Sequence, residues 1–177
     1  MATIADLNKN EAVEVLLQQK PLVIYQGYSE WGPRALGNRS ILFDPRNPNA
    51  KDIVNSFKKR EWWRPLAGTV LLEYANEYFD LATLKESPYM SFAIDARQKA
   101  IDEVPSIVHV DNTCRIQTLK RKDNPNYYDL INCFYNQTKV PMLLNTSFNL
   151  SGLPIVENDL FLNFTINNSE FEYVYTP

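Results

Sequence analysis

Residues 27–46 read GYSEWGPRALGNRSILFDPR and hold three of the chain's five glycines together with Arg34, Arg39 and Arg46. The stretch opens straight after the apolar run 22–26. A chain written this way must turn tightly at the end of a strand, because glycine takes positive φ freely and lets other backbone approach closely. The arginines offer planar forks that match carboxylate or phosphate oxygens. The loop therefore suits a fixed anionic ligand.

Charge sharpens this reading. The whole chain carries a formal net charge of −3, from 18 Lys and Arg against 21 Asp and Glu, which argues against bulk nucleic-acid binding. Between Arg34 and Arg64, however, eight Lys or Arg face Asp44, Asp52 and Glu61, a local balance of +5. Charge runs are usually solvated faces. Here five of the eight are arginines, and Arg34 and Arg39 flank the glycine-rich turn. A small-anion pocket takes precedence over a surface patch, and a broad nucleic-acid groove is the weaker option.

A length of 177 residues with 45% hydrophobic residues sets the scale of one domain with a real core. No apolar run is long enough to span a membrane. The start, MATIADLNKNEAVEV, lacks the basic and apolar segments of a secretory leader. A cytoplasmic protein is expected, and Cys114 and Cys133 read as free thiols rather than a pair. The single histidine, His109, makes a protein-built zinc site of the usual kind unexpected, and no metal ligands are assigned.

Periodicity predicts a helix over 8–20 capped by Asn8 or Asn10, a strand over 22–26, the glycine-rich loop, and a helix over 49–62 with Ile53, Val54 and Phe57 inward. A strand at 68–72, a helical turn at 73–80 and a strand at 89–96 come next. Residues 106–119 alternate, with Asp111-Asn112 as an alternative turn that splits a hairpin. A helix at 126–139, a strand at 140–145, a helix near 159–164 and a strand at 171–175 complete the chain. The mixture gives an α/β or α+β domain around one sheet.

Three further motifs carry chemistry. In Lys58-Lys59-Arg60-Glu61-Trp62-Trp63-Arg64-Pro65, the first three cations suit a helix C-terminus through the macrodipole, at ~0.3–1 kcal/mol. That account does not reach Arg64, walled by tryptophan and proline, which reads as a binding residue, while Lys59 reads as surface. His109, Asp111, Thr113, Arg115 and Gln117 share one strand parity. They form either the wet face of an edge strand or further phosphate or acyl recognition, with His109 and Asp111 a conceivable acid–base pair. Residues 144–149, LNTSFN, end an apolar strand in hydroxyls and amides, placed for ligand oxygens or for turn chemistry. No G-x-S-x-G elbow and no G-x-x-x-x-G-K-[ST] loop is present, which sets aside a serine hydrolase and a P-loop enzyme.

Taken together, residues 32–40 (GPRALGNRS), Asp44-Pro45-Arg46, Asn55, Lys58, Arg60-Glu61, Arg64-Pro65, Ala67, His109-Val110-Asp111, Thr113, Arg115, Gln117-Thr118, residues 144–149, Gly152 and Pro154-Ile155-Val156 resemble the C-terminal domain of the carbamoyltransferase family. That family includes the O-carbamoyltransferases of antibiotic and nodulation-factor biosynthesis. The resemblance runs from about Val13 to the C-terminus. It implies a YrdC-like fold, a twisted mixed sheet flanked by helices, occupying residues 1–177 as a single domain.

It also implies an activity: carbamoyl phosphate and ATP, with Mg²⁺, give carbamoyl adenylate and pyrophosphate-type products. A metal-bearing N-terminal domain of the sugar-kinase/Hsp70 class, absent from this sequence, then passes the carbamoyl group to an acceptor hydroxyl, so a separate partner is expected. Carried over, Arg34, Lys58, Arg64 and Arg115 are the anion-binding, catalytic cations. Arg39, His109, Asn145, Thr146 and Ser147 are nucleotide-side wall residues. The family usually has Pro at Gly68, where glycine would loosen the segment after Arg64, and Gly at Asn112, where asparagine still takes a left-handed turn. The rival reading is a non-catalytic nucleotide- or phosphate-binding subunit that regulates or scaffolds a partner.

Overall fold

The computed structural model describes residues 5–177, so the first four residues of the expected leaderless start lie outside the described residues. Strands β1 (Ala5–Asp6), β2 (Leu22–Tyr25), β3 (Arg39–Phe43), β4 (Ala67–Leu71), β5 (Phe79–Asp80), β6 (Ala93–Ala96), β7 (Thr113–Leu119), β8 (Met142–Ser147) and β9 (Tyr173–Tyr175) form one mixed sheet. Its order is β1-β9-β2-β3-β8-β4-β7-β6-β5. Helices α1 (Lys9–Leu17), α2 (Ala50–Phe57), α3 (Leu72–Tyr78), α4 (Gln98–Glu103), α5 (Pro125–Thr138) and α6 (Asp159–Asn167) flank it. No described helix is long and apolar enough to cross a membrane.

Local sequence explains the helix ends. Asn8 caps α1 by accepting from the backbone N–H of Asn10 at 2.9 Å and Glu11 at 3.1 Å, and Glu11 Oε2 accepts the Asn8 N–H at 2.8 Å, a reciprocal cap worth ~1 kcal/mol. Asn124 Oδ1 caps α5 ahead of Pro125, and Lys139 closes that helix at φ 64°. Four elements were not anticipated: the two-residue strands β1 and β5, the strand β3 and the helix α4. The glycine-rich stretch ends at Asn38, and β3 runs on from it through the middle of the sheet. All five β3 residues are buried, so no alternation marks the strand. The short helix α4 was missed as well. The turn at Asp111-Asn112 is real, with Asn112 at φ 60°, but it precedes β7 without closing a hairpin. β7 lies between β4 and β6 rather than at an edge.

Register brings the motifs to one end of the sheet. β8 runs antiparallel to both neighbours, pairing Ser147 with Ser40 of β3 and Asn145 with Ala67 of β4. β7 runs parallel to β4, with Gly68 opposite Ile116. The C-terminus of β8 therefore meets the start of β3, β4 and β7. At Gly68 a Cβ would lie 2.6 Å from Ile107 Cδ1, so Ile107 packs closely over the bare glycine backbone of β4. The loop after β8 is pinned by Phe148, fully buried, whose ring meets Phe171 edge-on at 5.9 Å, a contact worth ~0.5–1.5 kcal/mol beyond burial.

Candidate functional site

The helix α2 stops at Phe57 because Lys59 turns left-handed, at φ 52°. The turn reverses the chain, so Lys58 and Arg60 point one way and Lys59 the other. Lys59 is exposed and bonds the Asn168 carbonyl at 3.1 Å. Asn55, buried in α2, anchors the segment beyond the turn: its Nδ2 donates to the carbonyls of Trp62 at 3.1 Å and Arg64 at 3.0 Å, and its Oδ1 accepts from Arg60 Nε.

The glycine-rich loop is laced by two charged groups. Glu30 Oε1 accepts the N–H groups of Leu36 at 2.7 Å, Asn38 at 2.8 Å and Arg39 at 3.2 Å. Arg39, 2% exposed, donates Nη1 to Gln26 O at 2.6 Å and Nη2 to Gly27 O at 2.9 Å, and its guanidinium lies 3.9 Å from the Tyr25 ring centre. Gly37 takes φ 108°, and a Cβ there would stand 2.1 Å from the Tyr127 ring. The loop is thus closed from both ends and pressed onto α5.

These elements surround a cavity of about 490 Å³ whose lining includes Arg34, Lys58, Arg60, Arg64 and Arg115, all cationic, and, among the described residues, no Asp or Glu. Asn145, Thr146, Ser147 and Asn149 line it from the end of β8. Lys58, 2% exposed, donates Nζ to the Ser147 carbonyl and to Asn149 Oδ1 at 3.0 Å. Ser147 Oγ donates to the same Asn149 Oδ1 at 2.6 Å. Arg64 alone of the five has a carboxylate partner among the described residues, Glu61 at 2.8 Å in an exposed ion pair, worth ~1 kcal/mol or less.

Crowded cations destabilise their own charge. Burial, then Arg60 and Arg64, hold the Lys58 ammonium well below the ordinary lysine value. Burial, with Arg64 and Arg115 next, lowers Arg60 to about 10, and burial with Arg34 lowers Arg115. Arg60 Nη2 and Arg115 Nε are buried donors with no partner among the described residues. Such crowding is electrostatically unfavourable, and an anion would relieve it.

The four cations singled out from sequence, Arg34, Lys58, Arg64 and Arg115, line this one cavity, as do Asn145, Thr146 and Ser147. Arg39 and His109 are not among its lining residues. Arg39 is occupied as the loop's staple. His109 Nε2 lies 3.3 Å from the Leu66 carbonyl and bonds the segment just past Arg64. Asp111 accepts from Thr113 N and Oγ1 at 3.0 and 2.8 Å instead of pairing with His109. Sequence reasoning missed Arg60, assigned to the helix end, and Asn149. Arg60 reaches the cavity only through the left-handed turn at Lys59, which no local pattern marks, whereas Asn149 stands two residues past Ser147 at the end of the polar run.

The carbamoyltransferase C-terminus family matches residues 13–176. The nodulation protein NolO of Bradyrhizobium diazoefficiens is 50% identical over 135 residues, covering 75% of this chain and 25% of that protein. The nodulation protein NolNO of Sinorhizobium fredii is also 50% identical over 135 residues, covering 75% of this chain and 20% of its own. A full-length HypF in phosphate- and nucleotide-bound form has the same fold, with a TM-score of 0.67 at 14% identity over 94% of this chain and 24% of that one. The chain thus matches a quarter or less of the length of these proteins.

Proposed function

The chain belongs to the carbamoyltransferase C-terminus family, and on that premise we propose that it forms carbamoyl adenylate from carbamoyl phosphate and ATP, for transfer to an acceptor hydroxyl by a partner domain. The observation that carries this reading is the cavity lined by Arg34, Lys58, Arg60, Arg64 and Arg115 with no carboxylate. Both substrates are polyanions that repel each other in water, and fixed cations bring them together by positioning and charge neutralisation, with no protein nucleophile. The phosphate- and nucleotide-bound state of HypF supports the same ligand class as a fold analogy.

The reaction balances in two steps. Water releases the phosphoryl group of carbamoyl phosphate as inorganic phosphate and leaves carbamate. A carbamate oxygen attacks the α-phosphorus of ATP, the bridging P–O bond to the β-phosphorus breaks, and pyrophosphate leaves. Lys58, Arg60 and Arg115 bind the phosphate oxygens in the interior of the cavity, while the more exposed Arg34 and Arg64 receive the incoming ligand, Arg64 exchanging Glu61 for it. The lining holds no carboxylate, so its residues do not build a Mg²⁺ site, and a divalent ion enters on the nucleotide's phosphates as part of the substrate. Carbamoyl transfer then falls to a metal-bearing N-terminal domain of the sugar-kinase/Hsp70 class, in keeping with the greater length of the relatives.

The test is exchange of labelled pyrophosphate into ATP, with and without carbamoyl phosphate, on the chain alone and with an N-terminal-type partner added. Exchange that depends on carbamoyl phosphate is expected. Its absence in both settings, with pyrophosphate still bound, would make the chain a non-catalytic phosphate-binding subunit.

A further inference from the structure

Three residues of the cavity wall carry a buried side-chain atom without a hydrogen-bond partner among the described residues: the donors Arg60 Nη2 and Arg115 Nε, and one acceptor, Asn145 Oδ1. Two donors suit the oxygens of an acyl phosphate. An acceptor does not; it calls for an N–H or O–H on the ligand, in a cavity otherwise dominated by positive charge.

The direction of the Asn145 amide is fixed by groups that can only accept. Gln117 Nε2 donates to the Leu36 carbonyl at 3.0 Å, which presents Gln117 Oε1 to Thr69 Oγ1 at 2.9 Å. The Thr69 hydroxyl gives its proton to that oxygen, so it accepts from Asn145 Nδ2 at 2.9 Å. Nδ2 also reaches the Ala35 carbonyl at 3.2 Å. Two backbone carbonyls therefore orient the whole chain of bonds, and flipping the Asn145 amide would set its oxygen against the Ala35 carbonyl. Oδ1 is left as an acceptor without a donor. The neighbouring Asn149 Oδ1 is no substitute, being occupied by Lys58 and Ser147.

From this pattern we infer that Asn145 Oδ1 accepts an N–H of the carbamoyl group and selects carbamoyl phosphate against acyl phosphates that lack the amide. The inference rests on the proposed function and adds to it the group that reads the substrate's nitrogen end. Asn145 is 0% exposed, so the carbamoyl amide reaches Oδ1 only as the wall gives way around the ligand. An orphaned buried acceptor rewards the ligand that pairs it, and a site that hydrogen-bonds a donor disfavours the isostere without one.

Acetyl phosphate is that isostere, with methyl in place of the amide. Direct titration of carbamoyl phosphate and of acetyl phosphate, read by calorimetry on the intact chain, tests the inference without mutation. Wild type should favour carbamoyl phosphate at least about tenfold. Asn145→Leu, checked for wild-type circular dichroism, should bind the two alike. Equal affinities in wild type would overturn the role of Asn145 and leave the proposed function standing. Failure of both acyl phosphates to bind, with pyrophosphate bound in a separate titration, would overturn the proposed function and this inference with it.

Discussion

Lys58 Nζ donates to Asn149 Oδ1 at 3.0 Å, so the end of α2 and the loop after β8 are joined by an ammonium that burial has made reluctant to stay charged. A bound polyanion restores the reason to hold that proton. Pyrophosphate binding should therefore take up a proton. With the free value of Lys58 depressed and the bound value higher, affinity stays level below the free value and falls as pH rises toward the bound one. Titrations in buffers of different ionisation enthalpy, from about pH 6 to about pH 10, measure this. Lys58→Met should abolish the uptake; proton release in wild type would contradict it.

The cations are not equal. Arg60→Ala should weaken pyrophosphate binding by ~1.5–3 kcal/mol, as for a charged hydrogen bond in a partly buried site. Arg64→Ala should cost ~1–2 kcal/mol, because Arg64 is half exposed and gives up Glu61 to bind. Lys59→Ala should change affinity by less than ~0.5 kcal/mol. Calorimetry that placed Lys59 above Arg60 would mean the left-handed turn at Lys59 has been misread.

Asn55 holds three points of the segment that carries Arg60 and Arg64. Asn55→Leu keeps the volume and orphans the two carbonyls. A stability loss of ~1–3 kcal/mol is expected, a fall in Tm of ~2–4 °C per kcal/mol, together with weaker pyrophosphate binding in the fraction still folded. Unchanged binding would show that Arg60 and Arg64 need no such support.

Gly37→Ala should destabilise by ~2–5 kcal/mol, because it combines a left-handed residue with a methyl driven into the Tyr127 ring. Urea unfolding decides this, and a loss below ~1 kcal/mol would contradict the close approach of the loop to α5.

Much of this was legible because polar and cationic residues stood where periodicity left them no structural duty. Arg64 sat among aromatics after a helix had ended, and LNTSFN closed an apolar strand, and both now line one cavity. Arg39 misled because a buried arginine stacked on Tyr25 looks, in sequence, like one that meets a ligand. His109 misled likewise, since its partner is a backbone carbonyl 43 residues away. The central strand β3 was hidden by its complete burial, and Arg60 by a turn whose positive φ falls on a lysine rather than a glycine. Each of these depends on contacts between segments distant in the chain, which local pattern does not encode.

Carbamoyl adenylate itself is the decisive observable. The chain, in excess over labelled carbamoyl phosphate and supplied with ATP and Mg²⁺, is quenched and searched for this intermediate, alone and with an N-terminal-type partner. Wild type is expected to form it, and Arg60→Ala and Arg115→Ala, folded and soluble, to form it at least ~10²-fold more slowly. A wild-type chain that binds pyrophosphate yet forms no carbamoyl adenylate in either setting would contradict the proposed function.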